Sequence, residues 1–113
     1  PMQAIVAEHL PFITSTPDEN RIARAKSALD KVCAWLDARL AGRKWAAGDE
    51  FTLADCAGAP SRFYADWIHP IPEQFGTLKD YRARALARPS VARVVDEARP
   101  YRKLFPLGAP DRD

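Results

Sequence analysis

The chain has 113 residues, which fits one domain around one core, and at this size about 65% of the unfolded surface can be buried without metal or disulfide staples. With 47% hydrophobic and 28% charged residues the composition is globular, and the net charge of +2 gives no charge-driven reason for a nucleic-acid or acidic-membrane partner. No uncharged apolar run nears the ~18 residues of a membrane helix, and no basic-then-apolar leader opens the chain. Cys33 and Cys56 form neither a C-x-x-C pair nor a disulfide framework, so a soluble protein of the reducing cytoplasm is expected.

Met2, Ile5, Val6, His9, Leu10 and Ile13 recur at steps of three and four, which predicts a first helix over roughly residues 1–13, kinked or stopped near His9 and Leu10 by Pro11. It starts in mid-pattern with no capping residue, as a piece of something longer would. Thr16-Pro17-Asp18-Glu19 has the spacing of a capping box with Pro17 at the first helical position. Ile22, Ala25, Leu29, Val32, Cys33, Leu36 and Leu40 then trace one stripe of a long second helix closed by Gly42.

Residues 43–50 form a connection anchored by Trp45. Thr52 and Asp55 are a second capping box, with Phe51 able to pack back on the first turn near Cys56. In the helix they open, Leu53, Ala57, Pro60, Tyr64, Trp67 and Ile68 share a face, and Ala54, Ala57, Gly58 and Ala59 carry little bulk. A central, largely buried helix is expected, ended by His69-Pro70-Ile71-Pro72. Thr77 and Asp80 repeat the box spacing ahead of a short helix reaching about Ala87. Pro89 opens a last helix with Val91, Val94, Val95 and Ala98, stopped by Pro100. Residues 107–113 are rich in Gly, Pro and Asp and are expected to be a mobile tail. No period-two alternation or long repeat occurs, so the fold class is all-α, a bundle of five to six helices.

Few residues suit chemistry. Both cysteines fall where burial is expected, unlike an exposed thiolate nucleophile. His9 lies on the inner stripe of the first helix as a core or cleft-edge histidine, His69 is a helix-end residue, and no carboxylate is spaced to build a metal site with either. Asp55 reads as a buried cap carboxylate. Residues 79–103 hold eight basic side chains against three acidic ones, but Asp80 with Arg84 and Asp96 with Arg99 stand at helical pairing distance, the mark of a solvated face. Phosphate loops, nucleophile elbows and recognition helices are absent.

Gly48-Asp49-Glu50-Phe51-Thr52-Leu53-Ala54-Asp55 resembles the signature of the C-terminal helical domain of glutathione S-transferases. The surroundings match too: a long capped helix ending Leu40-Ala41-Gly42, Trp45 just before the signature, and Tyr81-x-x-Arg84-x-x-x-Arg88-Pro89-Ser90-Val91 after it. The likeness covers about residues 12–106 of a domain taken as 1–106, whose first helix looks truncated. It implies a parent enzyme that conjugates glutathione, as co-substrate and without metal, to electrophiles. A thioredoxin-like N-terminal domain would carry the glutathione site and the sulfur-activating residue, and the full-length protein would be a homodimer. This chain would hold no catalytic residue and would supply one apolar substrate wall, from Met2, Ile5 and His9 on the first helix and Tyr64 on the third. Thr52 and Asp55 match the family's folding box. Cys56 departs from the larger aliphatic residue common at its position. Similar helical domains also serve as non-catalytic assembly modules, which is the rival reading.

Overall fold

The computed structural model describes residues 1–113 as five α-helices, α1 (Met2–Glu8), α2 (Glu19–Leu40), α3 (Leu53–Ile68), α4 (Gly76–Ala87) and α5 (Pro89–Ala98), followed by a 3-10 segment, Arg99–Leu104. No strand forms, and an isolated bridge between Trp45 and Gly48 tightens the α2–α3 connection. The all-α bundle is therefore the observed fold. No helix is long and apolar enough to cross a membrane.

Two apolar clusters organise the bundle. Ile22, Ala25 and Leu29, spaced at three and four along α2, close over Ile5 of α1. The larger cluster joins Cys33 and Leu40 of α2, Trp45, Ala59 of α3, Ile71 and Leu78, Tyr81 and Ala85 of α4. α4 is thus the element that α2, α3 and α5 share. By contrast, neither α5 nor the 3-10 segment contains a buried residue. Gly42 follows α2 with φ +71°, the left-handed cap position that glycine occupies at least cost.

Several expectations are corrected. α1 ends at Glu8 with His9 as its C-cap, so the expected stop near His9 and Leu10 occurs, but residues 10–13 lie outside the helix and Phe12 and Ile13 are exposed. α2 is capped by Asp18 and not by Thr16: the Asp18 carboxylate accepts from the Asn20 and Arg21 amides at 2.9 and 3.1 Å. The reciprocal bond to the cap residue comes from Glu8 of α1, whose Oε2 accepts from the Asp18 amide at 2.9 Å, and not from Glu19. Likewise Thr77 caps nothing. α4 begins one residue earlier, and its Leu78 amide donates to Asp37 of α2 at 2.8 Å. A carboxylate offered by a packed neighbour has displaced the local box in both cases. On α3 the inward face is Asp55, Ala59, Phe63 and Asp66, while Leu53 is 86% exposed and Cys56 is exposed, the reverse of the expected burial. The backbone of α5 does not stop at Pro100 but tightens into the 3-10 turn from Arg99.

Candidate functional site

Asp55 has no exposed surface. Its Oδ2 accepts from the Thr52 amide at 2.9 Å and the Thr52 hydroxyl at 3.3 Å, and its Oδ1 accepts from the Ala46 amide at 2.8 Å and the Tyr81 hydroxyl at 2.9 Å. Thr52 Oγ1 in turn accepts from the Ala54 amide, so the cap predicted from sequence forms. Burial alone would raise the Asp55 carboxyl, but the Ala46 and Thr52 amides and the Tyr81 and Thr52 hydroxyls outweigh it and hold it below the usual carboxylate range. Burial, together with the Asp55 anion, pushes the Tyr81 phenol up. A carboxylate held ionised among four donors is a structural acceptor with no lone pair left for proton transfer.

An apolar cavity of about 360 Å³ opens between α1, the C-terminal half of α3, α5 and the 3-10 segment. Of its thirteen lining residues eleven are hydrophobic. The wall on α3 is aromatic because Phe63, Tyr64 and Trp67 fall on adjoining positions of two turns, with ring centroids 4.6 to 5.5 Å apart. Phe105, brought back by the 3-10 turn, stacks on Tyr64 at 5.8 Å and meets Trp67 edge-on at 5.3 Å. Arg102 is the charged residue in the lining, with its guanidinium 5.2 Å above the Trp67 ring. A second apolar hollow continues along α3 and α5 past Cys56 and Val94, sharing Phe63, Tyr64, Val95 and Ala98 with the first.

The four residues expected to face a substrate are placed differently from one another. Met2 and Tyr64 line the cavity. Ile5 points into the α1–α2 cluster, where it is buried. His9 is exposed beyond the last turn of α1, and its Nδ1 donates to the Ile5 carbonyl at 2.8 Å. Val6 stands in the cavity where the helical stripe would have put Ile5, because α1 presents Ile5 to α2. Sequence reading missed Phe63, Phe105 and Arg102. The grouping of Phe63, Tyr64 and Trp67 was a visible signal for the first, whereas the other two depend on how the chain returns after Pro100. His69 ends α3 and holds Asp30 of α2 at 2.7 Å. No three His, Cys, Asp or Glu side chains are grouped to hold a metal ion.

Charged groups tie the last residues of the chain to the bundle. Asp66, buried on α3, accepts from the Ile71 amide at 2.9 Å and pairs with Arg112 and, at 3.4 Å, with Arg82. Burial would raise its carboxyl, yet the Ile71 amide and the arginines hold it low. Asp113 accepts from Arg99 through both oxygens, at 3.0 and 2.8 Å, and pairs with Arg102. Residues 107–113 thus lie against the bundle, with Leu107 packed on the α1–α2 cluster.

The sequence profile of the family described as "Glutathione S-transferase, C-terminal domain" matches residues 2–89. A curated relative, "Glutathione S-transferase-like protein LUC7" from Fusarium sp, is 47% identical over 55 residues, which is 49% of this chain and 23% of the relative. The aligned segment thus spans about a quarter of that relative's length. No solved structure matches. A profile match over most of the chain, on an all-helical bundle whose capping box closes on a buried aspartate, makes this chain a member of the glutathione S-transferase C-terminal domain family.

Proposed function

We propose that these 113 residues form the substrate-side domain of a glutathione transferase, in which the aromatic cavity is one wall of the site for the electrophile. The observation that carries this reading is the convergence of Phe63, Tyr64, Trp67 and Phe105 with Met2 and Val6 around an open, apolar hollow. Glutathione, the co-substrate that the family uses in general, presents carboxylates, an ammonium and amides. Walls of eleven apolar side chains out of thirteen fit an apolar partner and not that tripeptide. The glutathione site and the sulfur-activating residue then belong to a thioredoxin-like domain beyond these residues, in a cytoplasmic homodimer.

Fluorescence tests this directly. With Trp35 and Trp45 both replaced by Phe, so that Trp67 is the one emitter left, chlorodinitrobenzene should quench Trp67 saturably, and Tyr64→Ala should weaken the quenching about fivefold by removing one aromatic wall. Conjugation of glutathione by the chain alone should not exceed the uncatalysed rate. Linear, unsaturable quenching, or enzyme-level turnover by the isolated chain, would overturn the reading.

Exposed Trp35 on α2 and Leu53 at the start of α3 favour a second reading, an assembly module that docks through these side chains. A stable heterologous complex lost on Leu53→Asp, with no saturable quenching of Trp67, would decide for it.

A further inference from the structure

We infer that Arg99 and Arg102 form a carboxylate-binding site at the mouth of the aromatic cavity, that the chain's own Asp113 occupies it, and that the ligand class it selects is an aromatic carboxylate. The inference rests on the reading of the cavity as a ligand site and narrows the kind of molecule it takes.

Arg102 belongs to both parts of the site. Its guanidinium lies 5.2 Å above the Trp67 ring and lines the cavity, while its Nη2 pairs with the Asp113 carboxylate. Arg99 presents two N–H groups to the same carboxylate, from Nη1 at 3.0 Å and Nη2 at 2.8 Å, the paired geometry by which guanidinium groups recognise planar acids. When Asp113 leaves, Arg99 keeps Asp96, bonded to its Nε at 2.8 Å, and Arg102 keeps the Arg112 carbonyl at 3.4 Å. Both retain the N–H groups that Asp113 had used. An acid of similar size can therefore take the vacated position.

Asp113 is easy to displace. It is exposed, and the 3-10 segment that carries its arginine partners contains no buried residue. A free carboxylate without an aromatic body would gain nothing over Asp113. One attached to a fused ring system also gains the rings of Phe63, Tyr64 and Phe105, which Asp113 does not reach for. The cavity thus discriminates between a neutral aromatic, which uses only the walls, and its acid, which uses walls and arginines together.

The test is a calorimetric titration of the 113-residue chain with naphthoate and, separately, methylnaphthalene, a pair alike in shape and different in charge. Naphthoate should bind more tightly than methylnaphthalene. Asp113→Asn should tighten naphthoate about fivefold by removing the internal competitor, and leave methylnaphthalene unchanged. Arg99→Gln, at a half-exposed position, should weaken naphthoate by a similar factor and again spare methylnaphthalene. Equal responses of the two ligands, or no response of naphthoate to Asp113→Asn, would overturn the carboxylate site and leave the cavity reading standing. If neither ligand binds, both fall together.

Discussion

The two aspartates buried on α3 are three turns apart and hold the molecule by opposite means. Around Asp55, every partner is a backbone amide or hydroxyl brought by a packed element: the α2–α3 connection, the helix start and α4. Around Asp66, apart from the Ile71 amide, the partners are two arginines, Arg82 from α4 and Arg112 from the last residues of the chain. Neutral donors fixed by backbone geometry are insensitive to salt, whereas the half-exposed guanidinium of Arg112 is screened. The Asp55 site is therefore insensitive to salt, whereas the tie between Asp66 and the last residues of the chain is weakened by it.

Removing Asp55 should show the contrast most strongly. Asp55→Ala leaves the Ala46 and Thr52 amides and the Tyr81 hydroxyl without an acceptor, at about 3 to 4 kcal/mol in urea unfolding. Next comes Gly58→Ala, whose added Cβ would stand 2.9 Å from the Tyr81 hydroxyl oxygen. It should cost about 1 to 2 kcal/mol, and less in a Tyr81→Phe background, where the displaced hydroxyl is gone.

Caps come third. Asp18→Ala should cost about 1 kcal/mol while Thr16→Ala stays within about 0.5 kcal/mol of zero, the reverse of the ranking that the local box implies. Arg112→Gln should be worth less than about 1 kcal/mol, and that difference should vanish near 1 M salt, where the Asp55→Ala difference persists.

Acid sharpens the same comparison. Asp55 and Asp66 are both held below the usual carboxylate range in the folded state. Their contribution is present above the unfolded value of about 3.9 and is lost as pH falls through the lower folded values. Urea midpoints should thus drop as the solution is acidified below about pH 4. Asp55→Asn should flatten that dependence, and Asp66→Asn should flatten it as well.

Much of the fold was legible from local pattern. The α2 stripe, the Thr52–Asp55 box and the Pro89 start each depend on residues within a turn or two, so spacing alone identifies them. The Thr16 and Thr77 boxes failed although their spacing is equally good. Glu8 and Asp37 reach the same helix starts from other helices, and no window of neighbouring residues contains that information. The cavity was legible only in part. Tyr64 and Met2 were found, but Ile5 faces α2 because a step of one residue, about 100° around the helix, decides which side chain meets α2 and which the cavity, and His9 lies past the end of α1.

What the sequence determined by itself is the set of helices, the glycine and proline punctuation between them and the one box whose partners are three residues apart. Only the tertiary structure decided which carboxylate caps which helix, which face of α3 lies inward, and where Phe105 and Arg102 come to rest. The physical reason is one of range. Helix periodicity and capping are settled by neighbours along the chain, whereas a buried acceptor goes to whichever donor the packing brings within about 3 Å.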